Sequence, residues 1–213
     1  MILLGLTGSI GMGKTTVATM FRRMGVPVFD ADATVRSLQG PGGALLPAIE
    51  AAFPGTTGPD GVDRAALGAR VFGDRAALRR LEAIVHPAVD RARRGFVRRH
   101  RARPLLVDDV PLLFETGGDR RVDAVLVVSA PAWRQRRRVL ARPGMSALRL
   151  RQVLARQIPD PIKRRRADFV VDSGADLATT RAAVRRLVAC LTAHGVRYCR
   201  TCAKSSSIPK PPA

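Results

Sequence analysis

The chain opens Met-Ile-Leu-Leu-Gly-Leu-Thr and runs at once into Gly8-Ser9-Ile10-Gly11-Met12-Gly13-Lys14-Thr15, a full G-x-x-x-x-G-K-[ST] pattern. No other stretch constrains the fold as strongly. Glycines at this spacing let a loop turn with its backbone N–H groups inward and approach an anion closely. The apolar run before it predicts a buried strand at Met1–Leu6. Val17, Ala18, Met20 and Phe21 predict a helix over Lys14–Met24. Strand, glycine loop and helix N-terminus in that order form a cradle for a polyphosphate. Gly11, Met12, Gly13, Lys14, Thr15 and Thr16 are the expected ATP-binding residues. Lys14 reaches the β- and γ-phosphates, and the Thr15 hydroxyl ligates Mg²⁺. A GTPase would also need N-K-x-D, which is absent, and Asp109-Val110-Pro111-Leu112 lacks the D-x-x-G that senses a γ-phosphate. Small-molecule kinases remain, with ATPase modules second.

The rest of the chain alternates strands and helices. "GVPVFDAD" predicts a strand at Val26–Phe29, with Asp30 and Asp32 at its carboxyl end. Ala44–Arg101 reads as almost wholly helical, with Asp63 and Asp74 as N-caps and Pro87 starting or kinking a helix. Strands follow at Leu105–Asp109, Ala124–Val128 and in "DFVVDSG". Between the last two lies a basic helix-turn-helix at Ala132–Arg142 and Ser146–Gln157. Asp176 caps a final helix running to about Leu191. Near-continuous apolar strands imply a parallel sheet covered on both faces, and such sheets bind ligands beyond their carboxyl ends. The expected fold is α/β: a three-layer P-loop NTPase with a five-stranded parallel sheet, a helical insert and a helical lid. Its expected limits are a nucleotide-binding core at 1–34 and 104–194, with the lid at about 132–160. The insert takes 35–103 and an unstructured tail 195–213.

Phosphoryl transfer to a hydroxyl needs charge stabilisation, a metal and a carboxylate that orients or deprotonates the acceptor. Asp32 is the first choice for that carboxylate. Asp30 is the alternative, and one of the two caps the next helix. Asp108 and Asp109 follow an apolar strand, and one of them takes the position that touches Mg²⁺. Arg138 and Arg142, spaced i,i+4 in the lid, are the arginines expected to neutralise transition-state charge.

The formal charge is +20, from 37 Lys+Arg against 17 Asp+Glu. Polyanionic substrates account for part of that. Only four of the basic residues are lysines, and so arginine-heavy an excess also fits a GC-rich coding bias. A nucleic-acid module is disfavoured, because only 4% of residues are aromatic and no stacking face is present. No apolar stretch is long enough for a membrane span. The short N-terminal run has no basic residues before it, so a cytoplasmic location is expected. Cys199 and Cys202 have C-x-x-C spacing without a second such pair. They read as reduced and incidental, with Cys190 and His194 the only neighbours able to complete a zinc site.

"GLTGSIGMGKTTVA", "VFDADATVRSL", "IVHPAV", "DVPLLFE", "RRRVLAR", "LRQVLARQ" and "RADFVVDSG" occur here in the order seen in dephospho-coenzyme A kinases, and the sequence resembles that family from Met1 to about Leu191. The resemblance implies ATP-dependent phosphorylation of the ribose 3′-hydroxyl of dephospho-coenzyme A, the final step of coenzyme A synthesis. It maps the general base to Asp32, and the first residue of D-x-P-L-L-F-E to Asp109 rather than Asp108. The insert becomes the acceptor-binding domain, with Arg36, His86 and Asp109 as further acceptor-side residues. The lid arginines map to Arg138 and Arg142. His86, ahead of Pro87, has a helix cap as its plain alternative. Where the family carries Asp-Asn near the last strand, this chain has Asp172-Ser173, a departure that bears on the adenine side.

Overall fold

The computed structural model describes residues 1–205. They form two compact units. One comprises Met1–Phe29 and the chain from His100 onward, the other Asp30–Arg99. These dividing points fall a few residues before the limits read from the sequence.

The chain begins with β1 (Ile2–Thr7), α1 (Lys14–Arg23) and β2 (Val28–Asp30). Helix α1 buries Val17, Ala18, Met20 and Phe21 and ends at Gly25, whose φ of 73° suits the left-handed turn after a helix.

The second unit follows. It contains α2 (Ala31–Leu38), α3 (Leu46–Ala52), β3 (Thr57–Gly58), β4 (Gly61–Val62), α4 (Arg64–Val71) and α5 (Arg75–Arg99). It has its own core of Leu45, Ile49, Phe53 and Leu67, backed by Leu81, Ile84 and Val85 of α5. The expectation of an almost wholly helical segment is corrected here, because β3 and β4 pair as a small antiparallel hairpin. "PGTTGPDG" contains too many helix breakers to stay helical. The Glu50 carboxylate organises the turn before the hairpin, accepting from the Gly55 N–H, the Thr57 N–H and the Thr57 hydroxyl at 2.6, 3.1 and 2.7 Å. The Gly55 bond, above the others, holds that carboxyl below its usual range. Asp63 and Asp74 cap α4 and α5, each accepting two backbone N–H groups. Helix α5 is continuous through Pro87.

Back in the first unit come β5 (Leu105–Asp109), a 3₁₀ turn at Gly118–Arg121, β6 (Ala124–Ser129), α6 (Ala132–Leu140), α7 (Ala147–Ala155), α8 (Asp160–Arg166), β7 (Phe169–Asp172) and α9 (Leu177–Ser205). Helix α8 was not legible in the sequence, being one short "DPIKRRR" run after a proline. The five-stranded parallel sheet runs β2-β5-β1-β6-β7, with Leu4 opposite Val107 and Ala124, and Val128 opposite Val171. Alternation along the strands sorts the two faces. Leu4, Leu6, Val107, Leu126 and Val128 pack with Val17, Phe21, Val184 and Leu191 of α1 and α9. Val125 and Val127 turn to the other face, against Leu113, Phe114 and Ile158. Each such side chain contributes roughly 1.5–3 kcal/mol on full burial.

Helix α9 extends beyond the expected end at Leu191. It breaks at Gly195 (φ 76°, ψ 177°) and continues to Ser205. Residues 195–205, expected to belong to an unstructured tail, are therefore ordered into helix, because Cys199 is 2% exposed and joins the core beside α1. Residues 206–213, the rest of that expectation, lie outside the described residues. Cys199 is bonded to Cys190 as a disulfide. The expectation of a reduced C-x-x-C pair is thus corrected, since the partner stands one turn before the Gly195 break.

Candidate active site

The glycine loop leaves the carboxyl end of β1 and enters α1 directly. Gly11 and Gly13 have φ of 77° and 83°, a region where a Cβ is strained. Space excludes a side chain as well. A Cβ on Gly8 would stand 2.6 Å from the Val128 carbonyl oxygen, and one on Gly13 would stand 2.9 Å from Ser173 Oγ. Gly13 is the N-cap residue of α1. Lys14, Thr15 and Thr16 form the first turn, where backbone N–H groups lack intrahelical acceptors and the helix end is positive.

Lys14 Nζ lies 2.5 Å from Asp109 Oδ1, and Asp109 is only 4% exposed. The strand register explains the pairing: Asp109 lies opposite Leu6 near the end of β1, whereas Asp108 lies opposite Gly5, and neighbouring strand residues face opposite sides. Thr7 Oγ1 donates to the Pro111 carbonyl at 2.9 Å, tying the segment after β5 to the base of the loop. The Thr15 hydroxyl and the Asp109 carboxylate are hard oxygen donors of the kind Mg²⁺ takes, with phosphate and water supplying the rest of its shell. The exposed Thr15 is the accessible one of the two. Among the described residues, no group of three or more His, Cys, Asp or Glu could hold a metal ion. Of the four residues weighed as zinc ligands, Cys190, His194, Cys199 and Cys202, the first and third are joined to each other as a disulfide, and the side chain of Cys202 lies outside what is described.

Arg138, on α6, is docked against the loop. Its Nη2 donates to the Ser173 carbonyl at 2.7 Å, and its Nη1 to Ser173 Oγ at 3.1 Å and the Gly11 carbonyl at 3.5 Å. Ser173 Oγ in turn donates to the Met12 carbonyl at 2.6 Å. Ser173 is thus a strut between the loop and Arg138. Arg142 does not share a helical face with Arg138. Helix α6 ends at Leu140 with Ala141 as C-cap, because Pro143 disfavours helical backbone at the residue before it. Arg142 lies exposed in the following turn.

In the second unit, Asp30 and Asp32 have different places. The Asp30 side chain caps α2, accepting from the Ala33 N–H at 2.8 Å. Asp32 sits exposed in the first turn of α2, and Arg36 lies exposed in the last turn, one i,i+4 step along the same face. His86 is exposed in the middle of α5, so its alternative as a helix cap falls.

Five polar residues with tertiary partners were not singled out from the sequence. Gln135 and Gln157 both bond to Ile10. Lys163, wholly buried, lies 2.8 Å from Glu115 Oε1. This is an ion contact rather than an aligned hydrogen bond, since the ammonium has no hydrogen-bond acceptor in proper geometry. Glu115 Oε1 also accepts from the Ile158 N–H at 2.8 Å. The N-terminal residue of α8, Asp160, accepts from Ser129 Oγ at 2.7 Å, and burial pushes its carboxyl above the usual range. Glu115 closes the "DVPLLFE" segment, which was the available signal. A buried lysine inside "KRRR" carries none.

A family model described as dephospho-CoA kinase matches residues 2–179. A dephospho-CoA kinase of Novosphingobium aromaticivorans is 65% identical over 185 residues, covering 87% of this chain and 92% of that protein. One from Mesorhizobium japonicum is 56% identical over 190 residues, covering 88% and 95%. A crystal structure from Thermus thermophilus superposes with a TM-score of 0.77 at 36% identity, covering 88% of this chain and 96% of that one. Dephospho-CoA kinase from Campylobacter jejuni superposes at 0.61 and 20% identity, covering 88% and 95%, which supports the fold alone. With a phosphate loop built in full and the lysine of that loop set against the aspartate of "DVPLLFE", the chain belongs to the dephospho-CoA kinase family.

Proposed function

We propose that the chain phosphorylates the ribose 3′-hydroxyl of dephospho-coenzyme A with ATP, giving coenzyme A and ADP. The observation that carries this reading is the Lys14–Asp109 pair at the mouth of a complete phosphate loop, in a chain 65% identical to a dephospho-CoA kinase. Backbone N–H groups at Gly11, Gly13 and Thr16 cradle the phosphates, while the Met12 N–H closes the turn on the Ser9 carbonyl at 3.1 Å, and Lys14 holds the β- and γ-oxygens. Thr15 and Asp109 would hold Mg²⁺, which when bound offsets charge shared between the β- and γ-phosphates. Asp32 accepts the proton of the 3′-hydroxyl as the oxygen attacks the γ-phosphorus, and the bond to the β,γ-bridging oxygen breaks to leave ADP. Arg138 and Arg142 neutralise charge on the transferring group. Arg36, His86 and Asp109 serve the acceptor side. A cytoplasmic location goes with this reading; no helix among the described residues is long and apolar enough to cross a membrane.

The test is ADP release with ATP, Mg²⁺ and a panel of acceptors comprising dephospho-coenzyme A, nucleosides and nucleoside monophosphates. Release should depend on dephospho-coenzyme A. No acceptor-dependent release, or release driven best by a nucleoside, would reject the assignment.

A further inference from the structure

Ile10 sits at the turn of the phosphate loop, and lid side chains take both polar groups of its backbone. Its N–H donates to Gln157 Oε1 at 3.1 Å, and its carbonyl accepts from Gln135 Nε2 at 2.8 Å. A backbone N–H only donates and a carbonyl only accepts, so the partner fixes the orientation of each glutamine amide. Gln135 stands on α6 and is 8% exposed. Gln157 lies just past α7, and its neighbour Ile158 is held by Glu115. The lid span between the two glutamines is therefore fastened at both ends to a single loop residue. Helix α6 also bears on the loop directly, since a Cβ on Gly11 would meet Val139 Cγ2 at 2.5 Å.

We propose that Gln135 and Gln157 are positioning residues: they hold the Ser9–Ile10–Gly11 backbone in its triphosphate-binding shape and couple both ends of the lid to it. The inward N–H groups of such a loop bind phosphate only in one arrangement of its peptides. Fixing that arrangement beforehand removes an ordering cost from binding. The proposal rests on reading the loop as the ATP site.

The test compares wild type with Gln157→Leu, Gln157→Glu and Gln135→Glu. It measures ATP and dephospho-coenzyme A affinity by calorimetry, acceptor-dependent ADP release, and thermal midpoint. Leu and Glu at 157 are close in size, but only Glu keeps an acceptor for the Ile10 N–H. Glu at 135 sets a carboxylate oxygen against the Ile10 carbonyl. Gln157→Leu should weaken ATP about tenfold and Gln135→Glu at least as much, with Gln157→Glu within about threefold of wild type. Affinity for dephospho-coenzyme A should hold throughout. Equal effects of Leu and Glu at 157, no change beyond about twofold in any variant, or a parallel fall in acceptor affinity would overturn the proposal. If Gln135→Glu does not fold, the pair at half-buried position 157 decides. A wild-type chain that failed to bind ATP would instead overturn the function reading, leaving the two outcomes distinct.

Discussion

Gly11→Ala tests whether α6 truly rests on the phosphate loop. Gly11 has φ of 77°, where a Cβ costs roughly 1–2 kcal/mol. That Cβ would stand 2.5 Å from Val139 Cγ2 and 3.1 Å from the Gln135 carbonyl oxygen. Carbon–carbon contact is comfortable at about 3.5–4.0 Å, so the overlap with Val139 is about 1 Å. Crowding of that order adds about 1–3 kcal/mol, and Gly11→Ala should destabilise the protein by about 2–5 kcal/mol in all. The two contributions are separable because the crowding atom is a terminal methyl. Val139 is fully buried, so Val139→Ala alone should cost about 2 kcal/mol for two lost methyl groups and the cavity they leave. In the double variant the new methyl at 11 enters that cavity. The two costs should then fall short of adding by about 1–2 kcal/mol, leaving the backbone strain in place. Urea unfolding of the four proteins measures the cycle. Additivity within about 0.5 kcal/mol would refute the packing argument.

Asp32→Asn should cost about 10²–10⁴-fold in turnover while ATP affinity stays near wild type; near-normal ADP release from that variant would remove Asp32 from the base role. Thr15→Val should weaken the apparent affinity for Mg²⁺ in turnover, read as a higher metal concentration at half-maximal rate, with the fold intact by circular dichroism. An unchanged metal titration would count against Thr15 as ligand. Asp160→Asn tests the effect of burial on that carboxyl. Its folded value is raised above the ordinary 3.8, so the folded state holds the proton longer than the unfolded chain does. Asp160 therefore costs stability increasingly as pH rises from 3.8 through the raised value. The asparagine variant should gain on wild type across that window, and parallel urea midpoints for the two proteins would contradict the sign.

Much of the first unit was legible because its signals are local. The strand at Leu105–Asp109 is bounded as its apolar run suggests, and the loop is dictated by Gly8, Gly13 and Lys14. Reading by pattern failed mainly where contacts between side chains, rather than local periodicity, decide. The disulfide joins Cys190 to Cys199 rather than closing C-x-x-C, a pairing that only the Gly195 break makes possible. Helix α8 is too short and too polar to announce itself, yet its Lys163 is wholly buried. Gln135 and Gln157 are ordinary helix-surface residues by pattern, and only tertiary contact with Ile10 gives them a role. Arg142 was misplaced by continuing a helix two residues past Leu140, where the bend before Pro143 ends it. The Asp30/Asp32 ambiguity was local after all, and the Ala33 N–H settles which side chain is the cap.

The Lys163–Glu115 pair restricts how this sequence can change. Lys163 is fully buried and Glu115 nearly so, at 0% and 13% side-chain exposure. Losing one partner strands the other charge at a cost of about 3–5 kcal/mol, against a total stability of about 5–15 kcal/mol for a protein of ordinary kind. A path that swaps the two charges, or replaces them with apolar side chains, must pass through one of those single losses. The two positions, 48 residues apart in the chain, are thus locked in step: each holds the other to its present charge, and neither drifts alone.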